Sequence, residues 1–383
     1  MTSQGFPTEY YFNCVVRFLD RIKYNDTNYT PEERLAKLHH VYTKTAKHFA
    51  HYNRQKHIKV SPTNLQPLVQ AMVTMVVYSW ATASEKVMVD LSIHYTYMLV
   101  LDHSHDDNPT DSMKSFYNTI MAGLPQEHPW WQMVNNHFPL VLRHYGPFCG
   151  LNMVRSTTDC TYTPPFLPHM ILTATWKDFQ GCWVEQYNLM GFPKSLNSPM
   201  FLRQMSKLGQ CVGGSIFPKE RFDENELFEE ITAIITQIEK WIACVNDLLS
   251  VYEEFEEPRN QTSLVNNYAQ CNEITLEEGL KTLTNDIIVS SEQLLGVFRD
   301  KDPGILHTLC TFCQGYVTWH LCDPRHRLQG LHSLTKGSAE AITKFYSYLQ
   351  SAKEVGSVDP KEWAYPSVAS LAAEDLAYWS DGL

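Results

Sequence analysis

The chain has 383 residues, 44% of them apolar and 19% charged, with 17 Gly and 20 Pro. That balance is globular and excludes a collagen-like, coiled-coil or disordered chain. Net charge is −11, from 42 acidic and 31 basic residues, and no run of Lys or Arg is present, which argues against a nucleic-acid partner. An anionic ligand would need metal ions or a local group of Arg and Lys to hold it.

In chain order, Met1 to Pro7 lacks the basic and apolar stretches of a secretory signal. Thr30-Pro31-Glu32-Glu33 predicts a helix start, with Thr at N-cap, Pro first in the helix and Glu closing a capping box. Leu35, Leu38, Val41, Ala46 and Phe49 supply its apolar side. The pattern then predicts helices over Val76–Leu101, Asn225–Phe255 and about Gly304–Cys322, with a surface helix over Ala339–Leu349. Gly123-Leu124-Pro125, Gly191-Phe192-Pro193 and Asp302-Pro303-Gly304 separate segments. Convincing strand alternation and internal repeats are absent, and no linker divides the chain. The expectation is one all-α domain over residues 1–383, interrupted by an odd stretch at about 158–176.

The longest apolar run, Ala71–Ala81, is too short to span a bilayer. Ten cysteines are scattered through apolar contexts, as reduced thiols of a cytoplasmic protein would be. Cys310 and Cys313 form a lone C-x-x-C without a second pair at zinc spacing, and read as helix packing. Aromatic residues reach 12%, with 9 Trp and 20 Tyr, enough for a large ring-lined interior.

Two apolar stripes end in polar residues. Leu227, Ile231, Ile234, Ile235, Ile238 and Ile242 form a core-facing stripe, and its continuation is Asn246, Ser250 and Glu254. Successive members lie about 6 Å apart along one helical face. An amide oxygen, a hydroxyl and a carboxylate so placed suit a hard cation such as Mg²⁺; otherwise the helix simply emerges into solvent there. Leu91, Tyr95 and Met98 likewise lead to Asp102 and Asp106. Carboxylates at a helix C-terminus oppose the helix dipole, and a bound metal would repair that siting.

These residues are recognisable together. Asn246 to Glu254 resembles the N-D-x-x-S-x-x-x-E metal motif of class I terpene cyclases, and Asp102 to Asp106 resembles their aspartate-rich motif. Val77-Tyr78-Ser79-Trp80-Ala81, Gly181-Cys182-Trp183, Gly315 to Asp323 and Glu362-Trp363-Ala364-Tyr365-Pro366 are similar to the fungal sesquiterpene members. The likeness runs from Phe6 to about Leu371. It implies a single helical bundle that binds farnesyl diphosphate through Mg²⁺, works as a homodimer and forms a carbocation in an aromatic pocket. By position it implies metal ligation by Asp102, Asn246, Ser250 and Glu254, with His103 and Asp106 in the metal vicinity. It implies diphosphate contacts from Arg203 and Arg325, and pocket positions for Tyr95 and Trp319.

Three positions depart from the fungal pattern: His103 replaces an Asp, Glu253 a Lys, and His326 a Tyr. They leave the metal triplet intact and bear on the product. Chain-elongating prenyl synthases would need two full aspartate-rich motifs, and only one is present. A phosphohydrolase built on His103, His105, Asp106 and Asp107 lacks a matching upstream His, which leaves an inactive cyclase homologue as the non-enzymatic rival. Thr158 to Trp176 looks like an insertion relative to the family. It is apolar, carries Pro164, Pro165 and Pro168, and has Asp159 as its one charged residue; a translated intron fits that composition as well as a loop does.

Overall fold

Local signals start the helices at the capping residues. In a computed structural model, which describes residues 5–54, 60–103, 118–119, 122, 124, 129–158, 188–205, 208–256, 262–299, 301–331 and 340–380, no strand occurs among the described residues. Helix α1 covers Thr8–Arg21, α2 Pro31–Arg54, α3 Pro62–Ser79, α4 Glu85–His103, α5 Pro129–Leu142 and α6 Pro147–Thr158. Then come α7 (Ser198–Met205), α8 (Leu208–Ser215), α9 (Phe228–Glu256), α10 (Leu264–Asn272) and α11 (Leu276–Val297). The last are α12 (Pro303–Cys322), a 3₁₀ turn at Pro324–His326, α13 (Glu340–Gly356), α14 (Pro360–Trp363) and α15 (Val368–Ser380).

The capping box expected before α2 is present: Glu33 N–H donates to Thr30 Oγ1 at 3.2 Å, and Thr30 N–H to Glu33 Oε2 at 2.9 Å. Asp302 caps α12, its Oδ1 accepting from the N–H groups of Gly304 and Ile305 at 2.7 and 3.0 Å. Each such cap satisfies amides that have no partner within the helix.

Two expected helices come out differently. Val76–Leu101 is divided, because α3 ends at Ser79 and α4 begins at Glu85. The intervening turn is held from a distance. Glu220 Oε1 accepts from Ser84 N–H at 3.1 Å, and Arg221 Nη1 donates to Thr82 O at 2.6 Å. The segment expected as a surface helix over 339–349 runs on to Gly356 and buries Phe345, Leu349 and Ala352.

Helix α9 is the centre of the bundle, packed by α8, α10, α11 and α12. Helix α12 in turn packs on α3 and α13, while α2 carries α3, α4 and α15. Glycine permits two of these crossings. A Cβ at Gly209 would stand 2.6 Å from Glu239 O on α9, and one at Gly315 would overlap the Tyr78 carbonyl at the end of α3. Ile231, Ile234, Ile238 and Ile242 are fully or almost fully buried, so the stripe read from the sequence is core. No helix among the described residues is long and apolar enough to cross a membrane. Residues 159–176 of the expected insertion, like Cys160 and Cys182, lie outside the described residues.

Candidate active site

The α9 stripe changes character at Asn246. Asn246 and Glu254 are half-buried and Ser250 is buried, so the helix does not simply emerge into solvent. Ser250 Oγ donates to Glu254 Oε1 at 2.6 Å, which brings two of the three expected ligands into contact. All three donors are oxygens, the set a hard cation takes, so the residues fit Mg²⁺. Among the described residues no group of three or more His, Cys, Asp and Glu forms a metal site; the donor set here is mixed, with an amide and a hydroxyl beside one carboxylate.

Arg203, from α7, reaches the start of this face. Its Nη2 donates to Asn246 Oδ1 at 2.9 Å and lies 2.9 Å from Asp247 Oδ1. Asp247 is buried, and its Oδ2 accepts from Leu264 N–H at the start of α10 at 2.8 Å. Burial pushes the Asp247 carboxyl upward, against the opposing pull of Arg203 and the Leu264 amide. A partnered carboxylate beneath the ligand face thus fixes the arginine, and α7 is tied to α9 where the two must be aligned.

Helix α12 supplies the next wall. His320 is fully buried, with Nε2 at 3.2 Å from Asn246 Nδ2 and Nδ1 at 2.9 Å from Tyr316 O. Burial drives the His320 pKa well below the usual histidine range. The His326 ring, from the 3₁₀ turn, stacks on it with centroids 4.8 Å apart and planes 15° apart. His326 Nδ1 lies 3.4 Å from Glu253 Oε2, an ion-pair distance without hydrogen-bond geometry. Two of the three departures from the fungal pattern therefore face each other.

Arg325 is held by Asp323, whose Oδ2 accepts from Nε at 3.2 Å and whose Oδ1 accepts from the backbone N–H at 3.0 Å. Its guanidinium lies 5.4 Å from the centre of the Trp319 ring, within cation–π range. Trp319 and Tyr95, both buried, do not touch; they are the ends of one column of rings. Tyr95 lies 5.6 Å from Trp80, Trp80 5.2 Å from Phe312, Phe312 5.7 Å from Tyr316, and Tyr316 5.7 Å from Trp319. Tyr95 OH is 3.1 Å from Ser215 Oγ, and burial raises its pKa well above the usual range.

Of the expected site residues, Asn246, Ser250, Glu254 and Arg203 come together, with Trp319 on the last turn of α12 and Arg325 on the 3₁₀ turn that follows it. Asp102 and His103 close α4, but their side chains fall outside the described residues, as does Asp106. Asp247, His320, Trp80, Phe312 and Tyr316 were not expected as site residues. Phe312, Tyr316 and His320 recur every fourth residue along α12, and that spacing is the signal that could have singled them out.

An all-helical bundle with an oxygen-donor triplet, an arginine clamp beside it and a column of rings behind it has the architecture of a class I terpene cyclase. The trichodiene synthase (TRI5) family model matches residues 5–163 and 160–381. The chain is 51% identical over 370 residues to trichodiene synthase of Gibberella pulicaris, covering 96% of this chain and 92% of the relative. It is 51% identical to that of Fusarium poae, covering 96% and 93%, and 50% identical to that of Fusarium culmorum, covering 96% and 94%. The chain belongs to the trichodiene synthase family.

Proposed function

We propose that this chain is a Mg²⁺-dependent sesquiterpene cyclase, a carbon–oxygen lyase that ionises farnesyl diphosphate and cyclises the allylic cation to trichodiene. The observation that carries the reading is the Asn246–Ser250–Glu254 oxygen face, with Arg203 donating into its first member. Asn246, Ser250 and Glu254 would hold the metal, with Asp102 from α4 completing the set by family position. Bound there, Mg²⁺ would neutralise the charge that develops on the departing diphosphate.

The chain's own residues do the rest. Arg203 and Arg325 donate hydrogen bonds to diphosphate oxygens, the strong charge-assisted kind. The ring column from Tyr95 to Trp319 offers π-faces to a migrating cation, and its buried, apolar setting excludes the water that would quench it. We place the enzyme in the cytoplasm on its cysteine usage, as a homodimer by family resemblance, and read residues 1–383 as one domain with an insertion at about 158–176.

The test is the purified chain with farnesyl diphosphate and Mg²⁺, with products read by mass spectrometry. Trichodiene that vanishes with a chelator supports the reading. A second reading, another sesquiterpene product, is favoured by the Glu253–His326 pair, which puts an acid and an imidazole where the fungal pattern has Lys and Tyr. A different hydrocarbon would establish it. No ionisation at all would mark an inactive homologue.

A further inference from the structure

We propose that His320 is a positioning residue, which fixes the Asn246 side chain with its oxygen turned away from α12 and available to a metal ion. The proposal rests on the metal reading given above. The two ends of an amide are nearly alike in shape, and only its partners decide which is which.

Three contacts decide it here. Tyr316 O can only accept, so His320 Nδ1, 2.9 Å away, carries the ring proton. A neutral ring has one N–H, which leaves Nε2 as an acceptor. The atom of Asn246 facing Nε2 at 3.2 Å is then the NH₂ group. On the other side, Arg203 Nη2 can only donate, and it meets the remaining Asn246 atom at 2.9 Å. An acceptor on one side and a donor on the other give the same answer: Oδ1 lies on the Arg203 side.

The ring that imposes this cannot easily turn. His320 has no exposed surface. It is stacked on His326 and meets Trp319 and Tyr316 edge to face, with centroids 4.4 and 4.5 Å away. A flipped Asn246 would aim its NH₂ group at Arg203 and its oxygen at a lone pair on His320. Both contacts would then oppose like with like. His320 thus acts on the metal through Asn246, as groups behind a metal ligand commonly do.

The experiment measures Mg²⁺ binding to the full chain in the presence of inorganic pyrophosphate by calorimetry, without turnover. His320→Phe keeps a ring but removes the acceptor, and the Mg²⁺ Kd is expected to rise about tenfold to a hundredfold. His320→Gln restores an acceptor through Oε1 and is expected to recover most of the affinity. In an Asn246→Asp background the His320→Phe penalty is expected to vanish, because a carboxylate presents oxygen whichever way it turns. A purely structural histidine would not give that cancellation.

An unchanged Kd in His320→Phe, or an equal penalty in both backgrounds, overturns the proposal while the metal site stands. If Asn246→Ala binds Mg²⁺ as the wild type does, the metal reading falls and the proposal with it. Should His320→Phe fail to fold, the ¹⁵N spectrum of the wild-type histidines decides. An Nδ1–H tautomer at position 320 supports the proposal, and an Nε2–H tautomer overturns it.

Discussion

Two of the arginine–aspartate pairs in this bundle, Arg34–Asp26 and Arg203–Asp247, differ in what surrounds them. Arg34 and Asp26 are wholly buried, with Nη2 3.1 Å from Oδ2. Arg34 Nη1 also donates to Val355 O, and the guanidinium lies 4.5 Å from the centre of the Tyr78 ring. Asp26 accepts from Thr318 Oγ1 at 2.6 Å and from Asn28 N–H at 3.0 Å. Arg203 and Asp247 meet at 2.9 Å, with Asp247 side chain 2% exposed and Arg203 18% exposed. The first pair is closed by protein on every side and joins four segments of chain. The second is partly exposed, and its arginine donates into the oxygen triplet. Arginine is the same group in both; full enclosure makes one a structural joint, and partial exposure sets the other where we propose that it meets diphosphate.

Helix α12 serves both. Thr318 reaches Asp26, and His320, two residues on, reaches Asn246. Residues two apart on a helix point in nearly opposite directions, so one helix separates the structural node from the one we propose for the chemistry. The separation can be tested by breaking each side. Asn246→Ala or Glu254→Ala is expected to lower turnover by about 10²–10⁴-fold, the several kcal/mol that a lost metal contact is worth. Far-UV circular dichroism and the melting temperature should stay as in the wild type. Near-normal activity in both variants would remove the metal assignment.

Arg34→Met should do the reverse. It leaves Asp26 buried without its cation, at a cost of about 3–5 kcal/mol, read as a lowered denaturant midpoint. The Mg²⁺ requirement of the protein that remains folded should not move. A shifted requirement would mean that the two nodes communicate along α12.

Acid should act on the structural side as well. Burial holds His48 and His94 near pKa 3, well below the value of about 6.5 for an unfolded chain. Between those values the unfolded chain takes up protons that the folded chain refuses. Stability is therefore complete above pH 6.5 and falls as pH drops toward 3, by about 1.4 kcal/mol per pH unit for each proton. His94→Leu should flatten that slope in urea titrations at a series of pH values. An unchanged slope would show that His94 is charged in the fold.

What could be read in advance follows the range of the interactions. The α2 start was legible because Thr30 and Glu33 are three residues apart and complete the cap between themselves. The triplet was legible because one helix carries all three members. The break at 80–84 was not, since Glu220 and Arg221 hold it from more than a hundred residues away. Nor were the roles of His320 and Asp247. His320 stands 74 residues from Asn246 and acquires its meaning only when α12 packs on α9.

The smallest effects are expected at the positions that depart from the family. Imidazole is a softer ligand than carboxylate, so His103→Asp should lower the Mg²⁺ concentration for half-maximal activity by a few-fold. An unchanged or higher value would separate position 103 from the metals.

For residues 158–176 the expected change is no loss at all. Three prolines in this stretch cannot continue a helix, each costing about 3 kcal/mol within one. Phe166, Leu167, Met170, Ile171 and Leu172 would need cover that surface loops seldom provide. The family model also matches the chain in two pieces that meet at 160–163, inside this stretch. If this stretch is the insertion proposed above, the working enzyme should not depend on it. Expressing the chain with 158–176 deleted should give equal or better yield and equal cyclase activity. An inactive deletion, together with transcripts that retain the segment, would instead make it part of the pocket.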